Sequence, residues 1–207
     1  PAFAQLGVPL GDDKVSPMAN KLGFASSITV DGTDSSGTPW MTVASKFPTD
    51  VSDDKLALAS IGQGDTVVTP LQNALIAAAV ANDGKLMQPT LVDRVRSSDL
   101  SVVSQTKSEV MSRPFSADTA DKLTQMMEAV VTKEDPELAI DGVQVAVKTG
   151  TAQIGENNGS VDAWVIGFAP ADDPKIAVSV VVHNVDSYGA LAAGPIMKAM
   201  MQEALAE

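Results

Sequence analysis

A lysine, two threonine hydroxyls and a glycine stand together at Lys148-Thr149-Gly150-Thr151, followed by Ala152 and Gln153. On an extended strand Lys148 and Gly150 point to one side and Thr149 and Thr151 to the other. Twist near a sheet edge still lets the ammonium and a hydroxyl address one cleft. The set supplies positive charge, hydroxyl donors and, at Gly150, a backbone that a ligand can approach closely. Such a cleft suits an anionic substrate. Lys-Thr-Gly at a strand end is also an ordinary edge sequence, so the tetrapeptide alone leaves a structural and a functional reading open.

Other chemistries lack their residues. There is one histidine, His183, and no cysteine, so a transition-metal site has too few ligands. Neither His-Glu-x-x-His nor an EF-hand loop occurs. His183 ends a β-branched segment and is expected to face solvent. A Ser-His-Asp triad would need a Gly-x-Ser-x-Gly elbow, which is absent. Gly62-Gln63-Gly64 lacks the Gly-Lys-Ser/Thr ending of a phosphate loop. Ser-x-x-Lys occurs at Ser52/Lys55 and Ser104/Lys107; with 18 serines and 11 lysines in 207 residues, about one such match arises by chance. Ser52-Asp53-Asp54 reads as a helix start, and its two carboxylates would hold Lys55 as an ammonium. Ser104 lies in a strand-to-loop region. Neither serine is taken as a nucleophile, and Ser-x-Asn does not occur.

The elements that must position the lysine segment follow from periodicity. The first 24 residues read as helix, break at Pro9 and Gly11, then a helix with Val15, Met18, Ala19 and Leu22 on one face. Residues 25–50 are rich in Ser, Thr, Gly and Asp and read as a long surface excursion. Thr69, Pro70 and Gln72 open a helix as cap, first-turn proline and capping-box residue. Its alanines predict close packing on another helix along Leu71, Leu75, Ala78 and Ala79, and Asn82-Asp83-Gly84 ends it. Strands are expected at 90–96 and 101–105. A helix capped by Ser116 runs through Leu123, Met126, Met127, Val130 and Val131. Segments 143–148, 164–169 and 176–182 read as an antiparallel meander over 143–183, joined by a Gly/Asn loop at 155–159 and by Pro170 to Pro174. The third strand, apolar on both sides, is expected to be central, with helices on both faces. A helix at 195–205 closes an α+β domain.

Composition sets outer limits. The net charge is −12, with 26 acidic and 14 basic residues and 44% hydrophobic content. An acidic chain with no basic stripe is a poor nucleic-acid binder. The longest apolar run, 74–81, is far short of the ~20 residues that cross a bilayer.

Several blocks together carry a resemblance. Lys148-Thr149-Gly150-Thr151-Ala152-Gln153 is followed by Asp162-Ala163-Trp164-Val165-Ile166-Gly167-Phe168-Ala169-Pro170 and a β-branched strand. Upstream stand Ser60-Ile61-Gly62-Gln63-Gly64-Asp65, Val68-Thr69-Pro70-Leu71-Gln72 and Ala81-Asn82-Asp83-Gly84. In this order, across essentially the whole chain, they resemble the C-terminal part of a penicillin-binding protein transpeptidase domain of the class B, monofunctional type. Val147 stands where that family often has glycine, and Lys133-Glu134-Asp135 replaces a Gly-rich turn.

The resemblance implies an α+β fold with an antiparallel sheet flanked by helices, β-lactamase/transpeptidase-like and incomplete in this chain. It implies a serine acyltransferase built on Ser-x-x-Lys, Ser-x-Asn and Lys-Thr-Gly, acting on D-Ala-D-Ala stem peptides and β-lactams without a cofactor or metal. Lys148 then serves the proton network and positive field. Thr149 and Thr151, beside Gly150 and Gln153, bind the substrate carboxylate, and the Thr151 N–H forms half of an oxyanion hole. Ala2-Phe3-Ala4-Gln5-Leu6-Gly7 resembles the stretch just after Ser-x-Asn. The nucleophile is therefore expected upstream of Pro1, with the other half of the domain and a membrane anchor that places the parent on the extracytoplasmic face of the bacterial membrane. The chain alone is expected to be unstable without that half. A D,D-carboxypeptidase or β-lactamase-like hydrolase, and a non-catalytic binding or scaffold module, are the competing readings. Ile61-Gly62-Gln63-Gly64 and Thr69-Pro70-Leu71-Gln72 favour the transpeptidase branch.

Overall fold

The computed structural model describes residues 2–155 and 159–206. Pro1, beside which the missing motif is expected, and residues 156–158 of the expected Gly/Asn loop lie outside them.

Helix α1 (Ala2–Leu10) and helix α2 (Asp12–Lys21) are divided at Gly11, while Pro9 and Pro17 stay inside the helices. Ser16 and Ala19 carry the buried side of α2; Met18, expected there, is 41% exposed. Residues 25–50 are mostly exposed and mostly irregular, apart from one short hairpin. Strands β1 (Thr29–Thr33) and β2 (Pro39–Met41) pair antiparallel around a turn organised by Asp34, whose carboxylate accepts from Ser36 and Thr38. Those bonds, the Ser36 hydroxyl first, hold the Asp34 carboxyl below its ordinary value. The base of the excursion is fixed by buried Ser45, which accepts from Thr69 N through its hydroxyl (3.1 Å) and from Ala25 N through its carbonyl (2.8 Å).

Helix α3 (Asp53–Ala59) precedes α4 (Pro70–Ala81). Thr69 caps α4, its hydroxyl accepting from Gln72 N at 3.1 Å. Gln72 does not complete a capping box. Its side chain, 1% exposed, turns away and donates to the carbonyl of Leu22, tying α4 to the end of α2. Of the expected face Ala79 is buried, but Leu71, Leu75 and Ala78 are half-buried, and Gln72, Ala77 and Val80 are buried in their place. The alanines serve a different partner as well: α4 lies chiefly on the three-stranded sheet described below and secondarily on a helix. Gly84 (φ 78°) ends it by donating to Ala79 O.

Short β3 (Leu86–Met87), β4 (Arg94–Arg96), β5 (Val102–Gln105) and β6 (Val110–Ser112) form two antiparallel pairs, β3 with β6 and β4 with β5. The β4–β5 strands are exposed throughout. Their turn is held by Asp99, whose carboxyl the Ser97 and Ser101 hydroxyls lower to about 2. Helix α5 (Ala117–Ala129) is capped by Ser116, which accepts from Thr119 N, and continues into a wider turn over Val130–Glu134. It buries Ala120 and Met127, with Met126 58% exposed.

Strands β7 (Ala146–Ile154), β8 (Ser160–Ala169) and β9 (Ile176–Val185) form an antiparallel sheet in the order β7-β8-β9. The central strand is therefore β8, not the β-branched third strand. Among the described residues nothing pairs with the outer edge of β9. Its alternation explains both apolar sides: Val178 and Val180 enter one core, while Ala177 packs into the other. Helices α6 (Gly189–Ala192) and α7 (Gly194–Ala206) cover the first of these faces, burying Ala190, Ala193, Met197 and Met201 against Val147, Val165, Val178 and Val180. On the opposite face Val80 of α4 and Met127 of α5 pack on the end at Ala146 and Phe168, and α4 lies along β8 and β9. Beyond that end Trp164, Ile166, Ser179 and Val181 are half-buried.

Replacing Gln72 with alanine leaves the carbonyl of half-buried Leu22 without this donor, and is expected to lower stability by about 1–3 kcal/mol. A urea unfolding midpoint reads this, and an unchanged midpoint would show that the cross-link contributes nothing.

Candidate functional site

The lysine segment sits in the middle of β7 rather than at the end of a short strand. Ala146 and Val147, both 0% exposed, precede it and belong to opposite cores. Each of the next residues therefore has a fixed direction. Lys148 and Gly150 share the side of Ala146; Thr149, Thr151 and Gln153 share that of Val147. The strand is held on its inner edge by unbroken pairing with β8, from Ala146↔Phe168 through Ile154↔Ser160. Among the described residues its outer edge has no partner strand.

Lys148 is exposed, and its ammonium donates back to the carbonyl of Thr149. The face it occupies is the one left half-open beside Trp164 and Ile166. Thr151 is engaged on the other face, where its hydroxyl oxygen accepts from Gly189 N at 3.2 Å. One lone pair is used, so the hydroxyl proton remains free to donate to an anion. Gln153, the last of the expected contacts, is exposed opposite Val161.

Gly189 is a participant that sequence reasoning missed. A Cβ there would lie 2.4 Å from the carbonyl oxygens of both Gly150 and Trp164, so only glycine lets α6 seat directly on the strand pair. A glycine opening a run of alanines before a helix was the available signal. Asp162 was also missed as a partner of the histidine. His183 is exposed as expected, but its Nδ1 lies 2.6 Å from Asp162 Oδ1. Gly150 leaves the opposite side of the strand open as well, with only the Trp164 Cβ, at 3.3 Å, near its missing side chain.

The two Ser-x-x-Lys pairs are far from this arrangement in character. Ser52 occupies the cap position of α3, where its hydroxyl lowers the Asp54 carboxyl rather than binding a backbone N–H. Lys55 reaches Asp65 at 3.6 Å on the surface instead of its neighbouring acids. Ser104 lies on the exposed hairpin strand β5.

Residues 1–202 match the family model described as "Penicillin binding protein transpeptidase domain". The chain is 39% identical over 212 residues to the peptidoglycan D,D-transpeptidase PbpA of Mycolicibacterium smegmatis, covering all of this chain and 42% of that protein. It is 32% identical to the stage V sporulation protein D of Bacillus subtilis, covering all of this chain and 32% of that one. The chain thus spans about two-fifths or less of the curated relatives it matches. Among solved structures, PBPA from Mycobacterium tuberculosis superposes with a TM-score of 0.86 at 37% identity, over 99% of this chain and 48% of that one. Its penicillin G acyl-enzyme complex gives 0.81 at 37% identity, over 100% and 46%.

Gly189→Ala forces α6 off the Gly150 and Trp164 carbonyls and breaks the bond to Thr151. It is expected to destabilise the protein by about 1–3 kcal/mol, read as a lower unfolding midpoint. A Gly189→Ala variant as stable as the parent would show that α6 is not seated this closely.

Proposed function

Because this chain belongs to the penicillin-binding protein transpeptidase family, we propose that it supplies the Lys-Thr-Gly wall of a serine D,D-transpeptidase that cross-links peptidoglycan stem peptides. The observation that carries this is the lysine segment on a rigid strand with a free outer edge and, on the Lys148 side, an open face. An extended D-Ala-D-Ala peptide can lie along such an edge as an added strand.

The chemistry is acyl transfer. A serine from the remaining part of the domain attacks the carbonyl between the two D-alanines, its proton passing to a base. The tetrahedral oxyanion collapses, the C–N bond breaks, and the terminal D-alanine leaves with a proton on its nitrogen. An amine of a second stem peptide then attacks the ester and regenerates the serine. Lys148 contributes positive field at the serine and takes part in the proton network. Thr149 and Thr151 bind the terminal carboxylate, the Thr151 proton being free for this while its oxygen holds Gly189. The Thr151 N–H contributes to the oxyanion hole, an interaction of about 2.7–4 kcal/mol in such sites. Gly150 lets the substrate backbone approach, and Gln153 extends the wall. A β-lactam enters the same steps with its ring amide in place of the scissile bond.

The nucleophile and the rest of the domain belong to the proposal too. The half-buried strip Trp164, Ile166 and Val181 beside Lys148 suits a packed helix that presents the serine. A groove of about 280 Å³ along the edge of β9, lined by Leu71, Ala74, Ile176, Val178 and Met200, suits further strands. Ser179 Oγ, buried and without a partner among the described residues, faces the same region. An acidic, stem-peptide-directed enzyme of this kind acts outside the cytoplasmic membrane. Among the described residues no helix is long and apolar enough to cross one, so anchoring falls to another part of the protein.

A fluorescent penicillin is expected to label the full-length protein covalently, and Lys148→Ala to slow acylation by about 10²–10⁴-fold with its fold retained. The 207-residue chain alone is expected to take no label. An adduct on Ser52 or Ser104, or a full-length protein that never acylates, would overturn the reading.

A further inference from the structure

Near the end of the sheet one residue of β8 opposes two of β9. Register passes from Ala163↔Val182 to Val161↔Val185, so Asp162 stands against both His183 and Asn184. This is a β-bulge, a device that bends a strand and re-aims the chain beyond it. Asn184 takes a left-handed φ of 57°, which an asparagine tolerates but does not prefer. A single carboxylate oxygen closes the irregularity: Asp162 Oδ1 accepts from His183 Nδ1 at 2.6 Å and from Asn184 N at 3.2 Å. The Asp162 side chain is 22% exposed and that of His183 75% exposed.

The bulge matters because of the short span after it. Four residues, Val185 to Tyr188, lead from Asn184 to Gly189. Gly189 sits against the carbonyls of Gly150 and Trp164 and donates its N–H to Thr151. That span ties two fixed points together. If the bulge relaxes, β9 leaves the sheet in another direction, and Gly189 can no longer meet Gly150 and Thr151 without strain.

We infer that Asp162 and His183 are positioning residues for acyl transfer. They fix the bulge, and through it they hold Gly189 against the Gly150–Thr151 backbone that receives the substrate. Neither side chain touches the reacting atoms. The inference rests on the transpeptidase reading, because it assigns the pair a role in that site. A surface ion pair used only for stability contributes little. The expected signature is therefore kinetic.

The test uses full-length protein and a fluorescent penicillin, separating affinity of the initial complex from the acylation rate. Asp162→Ala and His183→Ala are each expected to slow acylation about 10-fold with initial affinity near that of the parent, and to lower the unfolding midpoint by no more than Gly189→Ala does. The double variant is expected to be no slower than either single one, since the two act as one unit. His183→Asn, whose amide N–H occupies the place of Nδ1, is expected to recover most of the rate. Variants that acylate at the parental rate, losses that multiply in the double variant, or losses fully accounted for by the unfolded fraction at the assay temperature would each overturn the inference. A parent protein that does not acylate at all removes the underlying reading as well, and that outcome is seen before any variant is compared.

Discussion

Adjacent residues Ala146 and Val147 are both fully buried, in cores on opposite faces of one strand. An edge strand can be held this way only where helices press on it from both sides, because successive side chains point oppositely. Here α5 presses from one side, and α6 with the wide turn Val130–Glu134 from the other. The clamp fixes the rotation of β7 about its own axis, and everything downstream inherits that rotation. Lys148, Thr149 and Thr151 can be polar and solvent-facing yet directed, since their orientation is set two residues earlier.

The sheet is covered unevenly, and the site lies at the boundary of the cover. On the Val147 face α6 and α7 close over Val147, Val165, Val178 and Val180, with Met197 and Met201 at 0% exposure, while Thr151 and Gln153 farther along the strand stay exposed. On the other face the fully buried core ends at Ala146 and Phe168, leaving Lys148 beside half-buried Trp164 and Ile166. An ammonium kept at such a margin retains its hydration yet can be desolvated when a substrate or a packing element arrives, where its field is felt more strongly. The β1–β2 and β4–β5 hairpins take their shape from carboxylates that collect N–H and O–H donors in the turns, Asp34 and Asp99, rather than from a core.

Much of this was legible in the sequence because it is local. Thr69 and Ser116 cap their helices as their types require, Gly84 ends α4, and the alternation of the last third yields the three antiparallel strands. The misreadings share a different cause. Met18 and Met126 sit at helical spacing with buried neighbours but have no element opposite them. Gln72 fits a capping box, but the Thr69 N–H it would accept from already donates to Ser45 Oγ, and its amide donates instead to the Leu22 carbonyl outside its own helix. The β-branched third strand looked central because both of its faces are apolar; facial burial says nothing about what lies along the strand's edge.

By itself the sequence determined the chemistry on offer and the family: the Lys148-Thr149-Gly150-Thr151 string, the order of the blocks around it, and the absence of cysteine and of a second histidine. Residue type and short spacing carry that information without any folding. Tertiary structure alone decided which face Lys148 shares, that Thr151 holds Gly189, and that Asp162 meets His183 across a bulge. Those contacts join residues 21 and 38 positions apart. Their geometry depends on strand register and on the close approach of two backbones, which no local pattern encodes.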